Sequence, residues 1–268
     1  MNDAMSGMTG STLCVSIITI TRNGREFIGD TIRSVSEQTY PRVEYIVIDG
    51  ASTDGTVDVI RANSRHIANW SSEPDSGIAD AFNKGLSLST GDYVLFLNSD
   101  DRLASPSAVE KVVETIVDTG GPELIYGDCN LIDRQSGQYL YKASIEFSPR
   151  AFKRGHTLPH PSLFTSRAYF DRYGRFDTQF RIAMDYEFLL RGALQSRVVH
   201  VPIVVTEVRT GGISTRSPAV IPEIVRALRK NMIIRTSLGA FALQGYFQFR
   251  GLLRRIREHF FSSRFAKS

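Results

Sequence analysis

Tyr93-Val94-Leu95-Phe96-Leu97-Asn98-Ser99-Asp100-Asp101 is the most informative stretch of the chain. Its first five residues form a continuous apolar run and read as a buried strand. Two adjacent carboxylates follow at the strand's end. Open parallel sheets bind ligands in the crevice outside the carboxyl ends of their strands. Mg²⁺ or Mn²⁺ is held there by one or two carboxylates together with substrate phosphates. The acidic pair therefore points to a metal–diphosphate site. A helix cap is the competing reading, because Ser105 and Pro106 open a helix shortly afterwards.

On the N-terminal side, Val15 to Ile20 reads as a first strand and Val43 to Ile48 as a second, with a short third near Ile67 to Ser71. Helical spacing falls between them, at Glu26–Glu37, at Thr56–Ala62 and on the face made by Ile78, Ala81, Phe82, Gly85 and Leu86. Pro41 stops the first helix. This alternation predicts an α/β fold, a mostly parallel sheet with helices on both faces. Beyond residue 103 the regularity changes. Leu124-Ile125-Tyr126 is strand-like, Asp133 to Gly137 reads as a hairpin turn, and residues 145–165 are irregular. Helices are expected at Ala168–Tyr173 and Asp185–Ala193. Two strands, Arg197–Val201 and Ile203–Val208, meet at Pro202, and Gly211-Gly212 forms a hinge. Two helical segments complete the chain.

The chain has 268 residues, 42% hydrophobic and 22% charged, an ordinary globular composition. No basic and apolar leader pattern is read at the start, and no run of ~18 apolar residues predicts a membrane span. Cys14 and Cys129 lie in strand-like runs and read as free thiols, which suits a reducing compartment. Charge is distributed unevenly. From Arg216 onward eleven Lys/Arg face two Asp/Glu, a net of +9; since the whole chain is +4, the remainder is −5. A basic tail on a mildly acidic body points to an anionic surface as partner.

The first strand leads into Thr19-Ile20-Thr21-Arg22-Asn23-Gly24. The Gly-x-Gly-x-x-Gly that a dinucleotide pyrophosphate needs is missing, which weighs against a dehydrogenase, and no Walker loop is present. Asp49 ends the second strand, where a carboxylate can meet a base or ribose. Asp54 and Thr56 read as caps. Asp75 or Ser76 suits an N-cap, and Asp80, Asn83 and Lys84 lie on the polar side of the next helix. Asp185 begins a helix, where it is either an N-terminal charge or a base aimed into a cleft.

Taken in order, Val15–Thr21, Asp49-Gly50-Ala51-Ser52-Thr53-Asp54-Gly55-Thr56, Glu73-Pro74-Asp75-Ser76-Gly77, Asn83-Lys84-Gly85, Gly91-Asp92-Tyr93 and Asn98-Ser99-Asp100-Asp101 resemble family 2 glycosyltransferases, which have the GT-A fold. The likeness covers roughly residues 13 to 215, and Tyr126-Gly127-Asp128 looks like the bacterial polysaccharide and glycolipid transferases. The resemblance implies nucleotide-sugar contacts at Thr19, Thr21, Asp49, Asp80, Asn98 and Ser99. The family's Asp-x-Asp falls on Asn98-Ser99-Asp100, with Asn98 in place of the first acid. Mn²⁺ or Mg²⁺ is expected on Asp100, with Asp101 a second candidate. The family's Glu-Asp pair falls on Met184-Asp185, which makes Asp185 the catalytic base. Asp128, His160 and Ser214 are possible acceptor or diphosphate contacts, and Gly211-Gly212-Ile213-Ser214 resembles a mobile closing segment. Inversion at the anomeric carbon is also implied.

These expectations divide the chain into a disordered tail (1–12), a GT-A domain (13–215) and a basic helical tail (216–268). The GT-A domain splits into a nucleotide-sugar half (13–103) and an acceptor half (104–215). In the tail Ala242, Tyr246, Phe249, Leu253, Ile256 and Phe260 make one apolar stripe flanked by arginines. Residues 240–262 are therefore expected to lie on an anionic membrane. The expected partners are a nucleotide-diphosphate sugar and a lipid-linked or glycan acceptor, with no nucleic acid. The expected place is cytoplasmic, peripheral on the inner face of the cytoplasmic membrane. Two rivals are a nucleotidyltransferase on the same carboxylates and a non-catalytic membrane scaffold.

Overall fold

Strands β1 (Val15–Thr21), β2 (Val43–Asp49) and β4 (Tyr93–Phe96) are the apolar runs of the sequence, and their hydrophobic side chains are nearly all buried. Strands covered on both faces read as continuous apolar runs of this kind. The computed structural model describes residues 12–212 and 217–234, with 236 and 245. The expected N-terminal tail apart from residue 12, Ser214, and the apolar stripe of the C-terminal tail lie outside the described residues.

β1 pairs in parallel with β2 and β4, and β2 with β3 (Asn69–Ser72). Helices α1 (Ile28–Ser36), α2 (Thr56–Ala62) and α4 (Ala108–Asp118) cover one face. They pack on Val15, Ile17, Val47 and Leu95. Helix α3 (Ile78–Leu88) covers the other, on Ile18, Ile46, Ile48 and Phe96. A Cβ on Gly85 would lie 2.3 Å from Ile18 Cγ2, so glycine is what lets α3 approach β1 this closely.

The second half completes the sheet with mixed directions. Its order is β3-β2-β1-β4-β8-β6-β9-β5, with β7 paired to β6. β8 (Leu163–Ser166) runs antiparallel between β4 and β6 (Leu124–Ile132). β9 (Val198–Arg209) runs parallel to β6 and antiparallel to β5 (Arg102–Leu103). The two strands expected on either side of Pro202 are this one strand. The β6 register shifts at Gly127–Asp128, and such a bulge tolerates a proline inside a strand. The expected hairpin turn at Asp133–Gly137 joins β6 to β7 (Tyr139–Ala143). Within 145–165, read as irregular, the structure places α5 (Pro149–Phe152) and the start of β8.

α6 (Arg167–Tyr173), α7 (Met184–Leu190) and α8 (Val220–Lys230) enlarge the α3 side of the core. Glu187 of α7 is fully buried, paired with Arg191 and with Lys230 of α8 at 2.9 Å. Burial opposes its ionisation, but hydrogen bonds and charge from Arg191 and Lys230 outweigh it and hold the carboxyl below its ordinary range. Glu187→Gln is expected to destabilise the fold by about 3 kcal/mol, the low end for a broken buried pair because Lys230 is half in water. The folded carboxyl binds its proton less tightly than the unfolded one. Its contribution is thus complete above ~4.3 and lost on acidification through the depressed folded value. Urea melts of native and variant protein at pH 7 and at pH 3 check this: the gap between them should narrow in acid.

Candidate active site

The sheet's order turns back between β1 and β4, since β2 and β3 lie on one side of β1 and β4 on the other. That switch point opens a crevice beyond the strands' carboxyl ends. Thr21 ends β1 there, and its hydroxyl is buried with no hydrogen-bond partner. A Cβ on Gly24 would lie 2.4 Å from Thr21 Oγ1 and 3.0 Å from Ser99 Oγ. The loops after β1 and β4 therefore converge, and an unsatisfied hydroxyl waits between them.

α1 fixes the acidic loop from beneath. Thr31 Oγ1 donates to the carbonyls of Ser99 at 2.9 Å and Asp101 at 2.7 Å. The two carboxylates then part. Asp101 is buried and accepts from Asn98 Nδ2 at 3.1 Å and from the Arg209 backbone at 3.1 Å. Burial, helped by the charge of Asp100, pushes its carboxyl up to about 7. Asp101 thus ties the loop before β5 to β9. Asp100 stays partly exposed and meets the Arg134 guanidinium at 2.5 Å. Arg134 and Arg209 both lie over the Phe27 ring, at 4.8 and 4.4 Å. The guanidinium cation of Arg134 thus already sits on the Asp100 carboxylate. Among the described residues no three His, Cys, Asp or Glu side chains cluster as a metal site. Mn²⁺ or Mg²⁺ fits this donor set as an ion held by one protein carboxylate and completed by substrate phosphates.

The other expected donor contacts are placed unevenly. Thr19 is buried within the sheet and accepts from Tyr45 Oη at 3.1 Å, which removes it from the crevice. Asp49 ends β2 fully buried. It accepts from the Ser52 backbone at 2.9 Å, the Ser52 hydroxyl at 2.5 Å and the Ser72 hydroxyl at 2.6 Å. Asp80 accepts from the Ser76 backbone at 3.0 Å at the start of α3. Asp54 accepts from the Thr56 backbone and hydroxyl, as its capping role requires.

On the acceptor side, α7 carries Asp185 in its first turn, half-buried, with the Tyr186 N–H donating to it at 2.7 Å. Glu223 of α8 accepts from the backbones of Arg181, Ile182 and Ala183, fixing the approach to that turn. His160 links the two sides. Its ring stacks on Phe96, 5.5 Å away and 11° off parallel, two residues before Asn98. Burial among Phe82, Phe96 and Phe176 lowers its imidazole below the ordinary value, against the pull of the Asp185 charge. Asp128 is buried beneath His200, at 2.8 Å, and Lys142, at 3.2 Å. Burial opposes its ionisation, and Ser144, His200 and Lys142 outweigh it, so its carboxyl lies below the usual range. Arg134, Arg209, Glu223 and His200 were not anticipated from sequence. Only Arg134 carried a signal there, as the residue following Asp133 in the expected hairpin turn.

The fold is a mixed α/β sheet whose switch point opens a crevice beside Thr21, Ser99 and Asp100. The glycosyl transferase family 2 model matches residues 16–173, more than half of the chain, and the chain belongs to that family. It is 37% identical over 210 residues to the uncharacterized glycosyltransferase Rv1514c of Mycobacterium tuberculosis, across 77% of this chain and 79% of that one. It is 29% identical over 206 residues to a PGL/p-HBAD biosynthesis glycosyltransferase of Mycobacterium bovis, across 74% and 78%. Among solved structures, S. aureus TarS 1–349 in complex with UDP-GlcNAc superposes with a TM-score of 0.69 at 16% identity, covering 88% of this chain and 72% of that one. The mannosyltransferase PcManGT of Pyrobaculum calidifontis, in complex with GDP-Man and Mn²⁺, superposes with a TM-score of 0.58 at 20% identity, covering 93% and 83%. The fold is thus the expected GT-A fold.

Proposed function

We propose that this glycosyltransferase moves a sugar from a nucleotide-diphosphate donor to a lipid-linked or glycan acceptor, with inversion, in cell-surface polysaccharide or glycolipid biosynthesis. The observation that carries the reading is the placement of two carboxylates. Asp100 lies in the turn that follows β4, Asp185 opens α7, and the Phe96–His160 stack lies between those elements. Thr21 with its free hydroxyl, Asn98 and Ser99 hold the donor beside Asp100, while Asp49 and Asp80 border the nucleotide end. Asp185 takes the proton from the acceptor hydroxyl as its oxygen bonds to the anomeric carbon. The bond from that carbon to the diphosphate oxygen breaks on the opposite face, and the nucleoside diphosphate departs with the electron pair. Mn²⁺ or Mg²⁺ bound with the donor supplies charge neutralisation for the leaving diphosphate. His160, kept neutral by its aromatic surroundings, orients the acceptor or Asp185. Asp128 and Ser214 remain further contacts of the acceptor or diphosphate. The basic tail at 240–262 holds the enzyme peripherally on the inner face of the cytoplasmic membrane.

A thermal-shift screen of UDP- and GDP-sugars with Mn²⁺ and Mg²⁺ tests the reading. A donor at 100 times its dissociation constant stabilises the native state by about 2.7 kcal/mol, a rise of several degrees. Stabilisation by nucleoside triphosphates alone, with pyrophosphate release, would establish the nucleotidyltransferase instead. Failure to hydrolyse or transfer any stabilising sugar nucleotide would favour the scaffold.

A further inference from the structure

Seven large hydrophobic side chains are exposed among the described residues, and four of them fall between positions 139 and 145. Tyr139 is 60% exposed, Leu140 47%, Tyr141 54% and Ile145 40%. The register shifts between Leu131 and Ile132, which sets Tyr141 opposite Leu131 and Tyr139 opposite Ile132. Neighbours on β6 face opposite sides, so the two tyrosines leave the ribbon on opposite faces. Both faces of this edge ribbon are therefore apolar and bare. Arg150, Lys153 and Arg154 follow, all exposed and with no ion pair among the described residues. Glu146 is the single carboxylate from 139 to 154. The ribbon is not loosely attached. Tyr126 Oη donates to the Ile145 carbonyl at 2.8 Å and accepts from the Phe147 N–H at 2.8 Å.

We propose that the β6–β7 hairpin and the α5 segment after it form a membrane-docking surface for an anionic bilayer, separate from the C-terminal tail. The chemistry selects this occupant. Tyrosines place apolar rings and wet hydroxyls at the headgroup level, and unpaired cations beside them meet anionic lipid. A folded protein partner would cover one face of the ribbon, whereas a soft headgroup layer envelops both. The location adds a purpose, since Arg134 in the same hairpin turn touches Asp100. A bilayer met by this ribbon lies beside the crevice. Docking itself does not depend on which sugar is transferred or on the acceptor.

The full-length chain with vesicles of phosphatidylglycerol and phosphatidylcholine provides the test. The chain has one tryptophan, Trp70 in β3, at the far end of the sheet from β7. Tyr141→Trp is expected to add an emission that shifts blue on vesicle binding and is quenched by brominated lipid, over a Trp70 background that is not. The triple variant Arg150→Gln/Lys153→Gln/Arg154→Gln is expected to bind such vesicles roughly 100-fold less tightly, about fivefold per cation, with its circular dichroism melt unchanged. Native protein that ignores these vesicles would overturn the proposal. So would an added emission that stays unquenched in the vesicle-bound Tyr141→Trp variant, which would leave binding to the tail. A lipid-free dimer abolished by Tyr139→Ser/Tyr141→Ser would assign the ribbon to self-association and equally refute docking.

Discussion

Replacing Asp185 with asparagine is expected to leave donor affinity within a few-fold of native and to cut sugar transfer by roughly two to four orders of magnitude, the usual share of a general base. Asparagine keeps the shape and can still accept from the Tyr186 N–H, which now reaches the carboxylate at 2.7 Å. It cannot take a proton. The surrounding turn is held independently, because Glu223 caps its backbone from α8. A loss of turnover with an unchanged melting curve therefore reports chemistry and not folding. Calorimetry with the sugar nucleotide, alongside steady-state transfer rates, separates the two. Near-native turnover in the variant would reassign the base.

Asp100→Ala is expected to abolish metal-dependent donor binding while the fold survives. Changes to groups that only support a metal ligand cost about 10–100-fold in affinity, so loss of the ligand itself should exceed that. The fold should tolerate the change because Asp100 is partly exposed, whereas Asp101 beneath it is locked to Asn98 and the Arg209 backbone. Titrations of the sugar nucleotide with and without Mn²⁺ should differ in heat for the native protein and coincide for the variant. The Arg134 guanidinium loses its partner in the variant, so residual metal-independent binding of the nucleotide diphosphate should persist or rise. An undiminished Mn²⁺-dependent heat would place the metal elsewhere.

Legibility in the sequence followed burial. β1, β2 and β4 are covered on both faces and announce themselves as unbroken apolar runs. β6 was read over three residues and spans nine. Its outer portion, Gly127-Asp128-Cys129-Asn130, lacks both the run and a clean alternation, because Asp128 points into a polar nest with His200 and Lys142. β8 hid within Pro- and His-rich surroundings, and its antiparallel place between β4 and β6 depends on partners distant in the chain. The carboxylates followed the same pattern. Asp100 and Asp101 are chemically identical neighbours, and only the fold, by bringing Arg209 and Arg134 to opposite members of the pair, tells them apart. Thr19 and Thr21 are separated likewise, one by Tyr45 and the other by the lack of any partner.

The position of β8 has a consequence for the chain during synthesis. β4 finds β1 as soon as it is made, but its other edge stays bare until α4, β6, β7, α5 and then β8 have followed. The most apolar strand of the protein thus waits on the ribosome with a row of unpaired amides, a template for pairing with other nascent chains. β6 in turn waits for β9. A fragment trimmed to the family-matched residues 16–173 would lack β9 and remain in that exposed state. Its recovery from inclusion bodies, where the longer chain stays in solution, would reflect an unfinished sheet edge and not a weak core.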